Sequence, residues 1–150
     1  MSEQLAGMDL VLRRTELERD LARVLDASVA RGWQSLKYDV LPAGTVMESM
    51  IYVDRNGVEE RANASDDDIP LLRQLRKLMY RPGYGTWFSM EMRLDNRGHV
   101  ETHYNYDEEA EWSFPLDDES YVEDQQRFPR DPEHIPAWLA PKLGLGGASN

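Results

Sequence analysis

The chain contains no cysteine. That excludes disulfides, thiolate catalysis and cysteine-based zinc sites, and it fits a reducing compartment. Long apolar runs are missing as well: no stretch approaches the roughly 18 residues that a membrane span needs. Glu3, Gly7 and Asp9 interrupt the N-terminal segment, so it lacks the continuous apolar core of a signal peptide. A cytoplasmic protein is the expectation. Basic residues are scarce, with 17 Lys and Arg against 28 Asp and Glu, a formal net charge of −11. Such a chain repels phosphate backbones, which argues against direct nucleic-acid binding. An acidic surface serves solubility, and it can also steer a basic partner.

What is present fits one domain spanning all 150 residues. A helix is expected from Thr15 to about Arg31, where Leu17, Leu21, Val24, Leu25 and Ser28/Val29 recur at the helical period. Thr15 and Glu18 have capping-box spacing there, though Asp9 could cap an earlier start, and Gly32 suits the position after the helix. Trp33 to Leu41 then alternates, with Leu36, Tyr38 and Val40 on one side and Lys37 and Asp39 on the other. Pro42-Ala43-Gly44 reads as a turn. Val46 to Asp54 reads as a strand, Asn56-Gly57 as a hairpin turn and Val58 to Ala62 as the return. A two-residue turn would oppose Asp54 to Glu59, so the register of this hairpin stays open.

The second helix follows Asn63 to Asp68, with Leu71, Leu72, Leu75, Leu78 and Met79 on its inner face. Asp66, Asp67 and Asp68 at its start, with Arg76, Lys77 and Arg81 near its end, suit capping and the helix dipole. Trp87 to Leu94 and His99 to Tyr106 form a second hairpin around Asn96-Arg97-Gly98. Its apolar faces coincide when Leu94 opposes Val100, Met92 Thr102, Met90 Tyr104 and Phe88 Tyr106. The same register opposes Arg93 to Glu101 and Glu91 to His103, both favourable pairs. A short helix is expected from Asp117 to Gln126, and Trp138 and Leu139 are positioned to tack a Pro-rich tail onto the body. Residues 1–8 and 142–150 read as mobile termini. The fold class is α+β: an antiparallel sheet of about five strands with helices packed mainly on one face.

Catalytic signatures are weak. His99, Glu101 and His103 share one strand face, a residue set that can hold a metal. Same-face neighbours on a strand are about 6.5–7 Å apart, however, so the two histidines would not share an ion without a bend. No nucleophile elbow, phosphate loop or H-E-x-x-H occurs. No catalytic residue, metal or cofactor is assigned. The acidic stretch offers more. Asp107, Glu108, Glu109, Glu111, Asp117, Asp118 and Glu119 surround Trp112 with no Lys or Arg among them. Carboxylates around an aromatic anchor form a pattern for binding a basic partner, while Trp112 could equally fold back onto the core.

The stretch from Trp87 to Trp112, with its W-x-x-x-x-x-x-L strand, Gly-containing turn and Tyr104-Asn105-Tyr106-Asp107 run continuing as Glu-Glu-Ala-Glu-Trp, resembles the YezG-like bacterial immunity proteins. Element order from about Thr15 agrees with them. The resemblance implies an α+β protein, without cofactor or catalytic residues, that binds and blocks a co-produced toxin, often a nuclease. Tyr104, Tyr106 and Asp107 match the family's run, although both tyrosines lie on the apolar face and suit the core better than a contact surface. The sequence therefore leads to an immunity protein that inhibits a basic, nuclease-type toxin through an acidic surface. The alternative is an acidic regulatory or scaffold module with a non-toxin partner.

Overall fold

The computed structural model describes residues 2–145. The element order is α1 (Ser2–Ser28), β1 (Ser35–Ala43), β2 (Val46–Arg55), β3 (Val58–Ala62), α2 (Asp68–Leu78), β4 (Ser89–Asp95), β5 (Val100–Asn105) and α3 (Asp118–Arg127). Two 3-10 turns follow, Pro132–His134 and Ala140–Leu143. The strands form one sheet in the order β3-β2-β1-β4-β5, antiparallel throughout, which confirms the α+β class.

Period-two alternation decides which side of the sheet is covered. Leu36, Tyr38 and Val40 of β1, Ile51 and Val53 of β2, and Met90, Met92 and Leu94 of β4 point to one face and are buried there. They meet Leu17, Leu21 and Leu25 of α1, Leu72 and Leu75 of α2, and Trp87. Each large side chain removed from water in this layer contributes about 1.5–3 kcal/mol. A smaller cluster of Ala43, Phe88, Tyr121 and Leu139 sits where α3 and the tail reach the sheet. Trp138 completes it, with its ring edge-on to Phe88 and its Nε1 donating to the Asp107 carbonyl at 2.7 Å. The tail is thus tacked down by the two residues expected to do so.

Helix α1 begins at Ser2, well before Thr15. Thr15 does not cap it. Its hydroxyl donates back to the Val11 carbonyl at 2.9 Å, the bond of a residue inside a helix. No proline precedes it, so the helix extends over Met8, Leu10, Val11 and Leu12 even though these stay exposed. The expected mobile termini therefore meet a helix from Ser2 and a 3-10 turn through Leu143, while residues 1 and 146–150 lie outside the described residues. Among the described residues, no helix is long and apolar enough to cross a membrane.

The three hairpins, β1–β2, β2–β3 and β4–β5, keep two or three residues in their turns. Asn56 and Gly57 adopt φ of 53° and 81°, the left-handed pair that a two-residue turn of this kind requires. Asp54 does oppose Glu59. The repulsion is offset because Asp54 Oδ1 accepts the Gly57 amide at 2.9 Å while Arg55 pairs with Glu60 at 3.2 Å. The first hairpin turns at Gly44-Thr45, so Pro42 and Ala43 belong to β1 and not to the turn.

The β4–β5 register is as expected from Leu94–Val100 to Met90–Tyr104, but the ladder starts at Ser89–Asn105. Phe88 leaves the apolar face for the smaller cluster, and Trp87 takes the main core in its place. The cause is local. The Trp87 carbonyl accepts Arg76 Nε at 3.0 Å and the Thr86 carbonyl accepts an Arg130 nitrogen at 2.9 Å, so buried arginines occupy groups that a strand partner would have used. Gly85 (φ +91°) lies against that Arg130 guanidinium, where an added Cβ would collide. Gly85→Ala is expected to destabilise by more than the roughly 1–2 kcal/mol of left-handed backbone strain alone, read as a shift in the urea midpoint.

Candidate functional site: an acidic strap beside an uncovered sheet face

Because α1 and α2 cover one side of the sheet, the other side is left to its polar residues. Lys37 and Asp39 of β1, Met50 and Tyr52 of β2, Glu91 and Arg93 of β4, and Glu101 and His103 of β5 occupy it at half-buried or exposed positions. The favourable cross-strand pairs expected in the second hairpin are in register, yet the side chains choose partners along their own strands. Arg93 Nε pairs with Glu91 at 3.0 Å, and His103 Nε2 lies 3.1 Å from Glu101 Oε1. Both are solvent-exposed pairs that add little to stability.

The acidic segment crosses one end of this face. It leaves β5 at Asn105, whose amide nitrogen donates to the Glu108 carbonyl at 2.8 Å and whose Oδ1 accepts the Glu108 amide at 2.9 Å. It reaches β2 at Ser113, whose hydroxyl and amide both donate to the Glu48 carboxylate. Since β1 and β4 lie between those two strands, residues 105–113 form a strap spanning four strands. Strap and sheet enclose an open trough of about 700 Å³ lined by Asp39, Glu48, Met50, Tyr52, Glu91, His103, Glu108, Glu109 and Glu111.

Of the residues singled out from the sequence, Asp107, Glu108, Glu109 and Glu111 are exposed on the strap, and Asp117, Asp118 and Glu119 are exposed at the start of α3. Glu108, Glu109 and Glu111 line the trough, and Glu109 also reaches Lys142 at 3.4 Å. Trp112 is half-buried. Its ring lies edge-on to Phe114, its Nε1 donates to the Tyr121 hydroxyl at 3.1 Å, and it packs on the smaller cluster. Phe114 is the more exposed aromatic of the two, at 45%. Tyr104 and Tyr106 face the main core, with hydroxyls donating to Glu18 at 2.7 Å and to the Met79 carbonyl at 2.8 Å. Asp39, Glu48 and Glu91 escaped the sequence reading because they join the strap only through strand order. Burial raises the Asp39 carboxyl above its ordinary range, Lys37 lowers it and Glu91 raises it further.

His99 stands in the turn before β5, where its backbone amide donates to Asp95 Oδ1 at 2.9 Å. It does not converge with Glu101 and His103. Among the described residues, the group whose ligand atoms lie within 4.8 Å of one another is Asp131, Glu133 and His134. There His134 Nδ1 is taken by the Gly83 carbonyl at 3.0 Å, and the Arg130 guanidinium bonds to the His134 carbonyl at 3.3 Å. A cation would have to share that position with a buried arginine.

Set against protein-family models the chain matches none, and no curated protein matches it either.

Proposed function

We propose that the protein is a cytoplasmic immunity protein that binds a co-produced toxin and neutralises it without catalysis or cofactor, the acidic strap meeting the basic cleft of a nuclease-type toxin. The observation that carries this reading is the strap. Asp107, Glu108, Glu109 and Glu111 are held exposed on a segment tied at both ends, so their charge is presented at a fixed place instead of being spread over a loose loop. A fixed acidic surface attracts a phosphate-binding cleft at long range and occupies it at short range. The resemblance of Trp87 to Trp112 to YezG-like proteins points the same way.

The test is co-expression with the product of the adjacent gene, followed by an assay of that product's toxicity. A stoichiometric, salt-sensitive complex with loss of toxicity is the expected result. A partner bound without any toxic activity would favour the regulatory-module alternative. Asp107→Ala, Glu108→Ala, Glu109→Ala and Glu111→Ala combined should slow association about tenfold or more at low salt and flatten its salt dependence. None of these side chains is needed for the strap's own ties to Asn105 and Glu48, so the fold should persist. Unchanged association kinetics would remove the strap from the interface.

A further inference from the structure

The uncovered sheet face is organised in rows that run across the strands. In the first row beyond the strap's anchors at Glu48 and Asn105, Met50 opposes Asp39, Asp39 opposes Glu91, and Glu91 opposes His103. The next row runs Arg61, Tyr52, Lys37, Arg93 and Glu101. A third brings Glu59, Asp54 and Asp95 into line through Ser35. Seen from the strap, the face is therefore acidic, then basic, then acidic.

This pattern is not the one that cross-strand pairing favours. On the β1–β4 ladder Asp39 sits directly opposite Glu91 and Lys37 directly opposite Arg93, and like charges in that relation are destabilising. Exchanging the positions of Lys37 and Asp39 would have given two favourable pairs on the same backbone. In-strand contacts, Lys37 to Asp39 at 3.6 Å and Arg93 to Glu91 at 3.0 Å, answer the clash, and at Asp39 the attraction of Lys37 outweighs the repulsion of Glu91. Like charges set across the ladder, where opposite ones would fit the same backbone, leave a banded surface that pairing within the fold does not require. The trough beside the acidic row adds depth, and Met50 and Tyr52 add apolar floor.

We propose that this uncovered face is a docking surface for a cationic protein segment, whose Arg or Lys side chains lie across the strands between the strap and the basic row. Asp39 and Glu91 from the sheet and Glu108 and Glu111 from the strap receive its charges, while Met50 and Tyr52 receive its aliphatic stems. Lys37 and Arg61 lie over the Tyr52 ring, at 4.8 and 5.7 Å from its centroid, and hold the basic row in place as the far boundary of this surface. A second copy of this chain, at net charge −11, brings the wrong sign. The inference rests on the immunity reading only for the partner's identity, since the surface is argued from the sheet.

The test is an amide-resolved NMR titration of the full chain with a short oligo-arginine peptide. Perturbations should centre on Asp39, Met50, Tyr52, Glu91 and His103 and on Glu108 to Glu111, and leave Asp117 to Glu119 unmoved. Asp39→Asn with Glu91→Gln should weaken the peptide about tenfold without lowering the unfolding midpoint. Asp117→Asn with Asp118→Asn should bind as the parent does. Perturbations spread equally over the α3 acids, or an unchanged affinity in the D39N/E91Q variant, would overturn the proposal, as would self-association through this face. The two readings separate cleanly. A peptide that docks here while the adjacent gene's product does not bind would uphold the surface and defeat the toxin assignment. A toxin complex indifferent to D39N/E91Q would do the reverse.

Discussion

Asp124→Ala is expected to cost about 3–5 kcal/mol of stability, the range for removing one partner of a buried ion pair. Arg76 on α2 and Asp124 on α3 form a two-pronged pair with side chains only 4% and 10% exposed. The pair does more than join two helices. Arg76 Nε holds the Trp87 carbonyl at 3.0 Å, and Asp124 Oδ1 accepts the Gly44 amide at 3.0 Å, so the entry to β4 and the β1–β2 turn meet there. Alanine at 124 would leave a guanidinium buried without its counter-charge and the Gly44 amide without its acceptor. Against the 5–15 kcal/mol typical of a whole domain, that loss is about a fifth or more. Urea unfolding at neutral pH measures it. A variant within about 1 kcal/mol of the parent would mean that water reaches the pair. Arg76→Met with Asp124→Leu should recover part of the loss, because no charge is left buried unpaired, while the Gly44 amide and the Trp87 carbonyl still lack their partners.

Arg76 also marks where reading the sequence stops. Beside Lys77 near the end of a helix it looks like a dipole-compensating surface charge, and Lys77 is indeed exposed. Nothing local distinguishes the two, because the partner, Asp124, is 48 residues away on another helix. Asp68 is a similar case. It reads as one of three N-terminal acids, yet it turns inward to accept the Tyr38 hydroxyl, and the N-cap residue Asp67 makes no side-chain cap bond. The β4–β5 hairpin was legible because a turn of fixed length and two alternating faces admit one register, whereas the β2–β3 register stayed open and the β1–β2 turn lies at Gly44-Thr45 instead of Pro42 to Gly44. Strand order was not. That β1 lies between β2 and β4 follows from packing across α2, and it alone brings Asp39 beside Glu91 and Glu48 beneath the strap. The acidic segment was visible as composition, whereas its role as a wall of a trough depends on the ties at Asn105 and Glu48.

Stability should fall steeply above pH 10, and the tyrosines supply the reason. Burial raises the pKa of Tyr38 first of all, and the bond and charge of Asp68 raise it further. Tyr104 is raised by burial and then by Glu18, and Tyr106 and Tyr121 by burial. A group whose pKa is raised in the folded state stabilises it fully below the unfolded value, about 10 for tyrosine, and loses that contribution as pH climbs through the folded one. Each fully shifted tyrosine therefore removes about 1.4 kcal/mol per pH unit above ~10, so Tyr38 and Tyr104 together give a slope near twice that. Denaturant midpoints from neutral pH to pH 11, with tyrosinate absorbance followed in parallel, would measure it. Ionisation of all tyrosines near pH 10 with the fold intact would show that the buried hydroxyls are reached by water. Tyr38→Phe separates the terms. It should flatten the alkaline slope, since the titrating group is gone. At neutral pH it should also cost about 1–3 kcal/mol, because the buried Asp68 carboxyl loses its donor. Asp68 is itself raised, chiefly by burial, so its deprotonation opposes folding, and acidification through its folded pKa should win back part of that neutral-pH loss. Recovery on acidification and a flattened alkaline slope in one variant would locate both effects in the same buried pair.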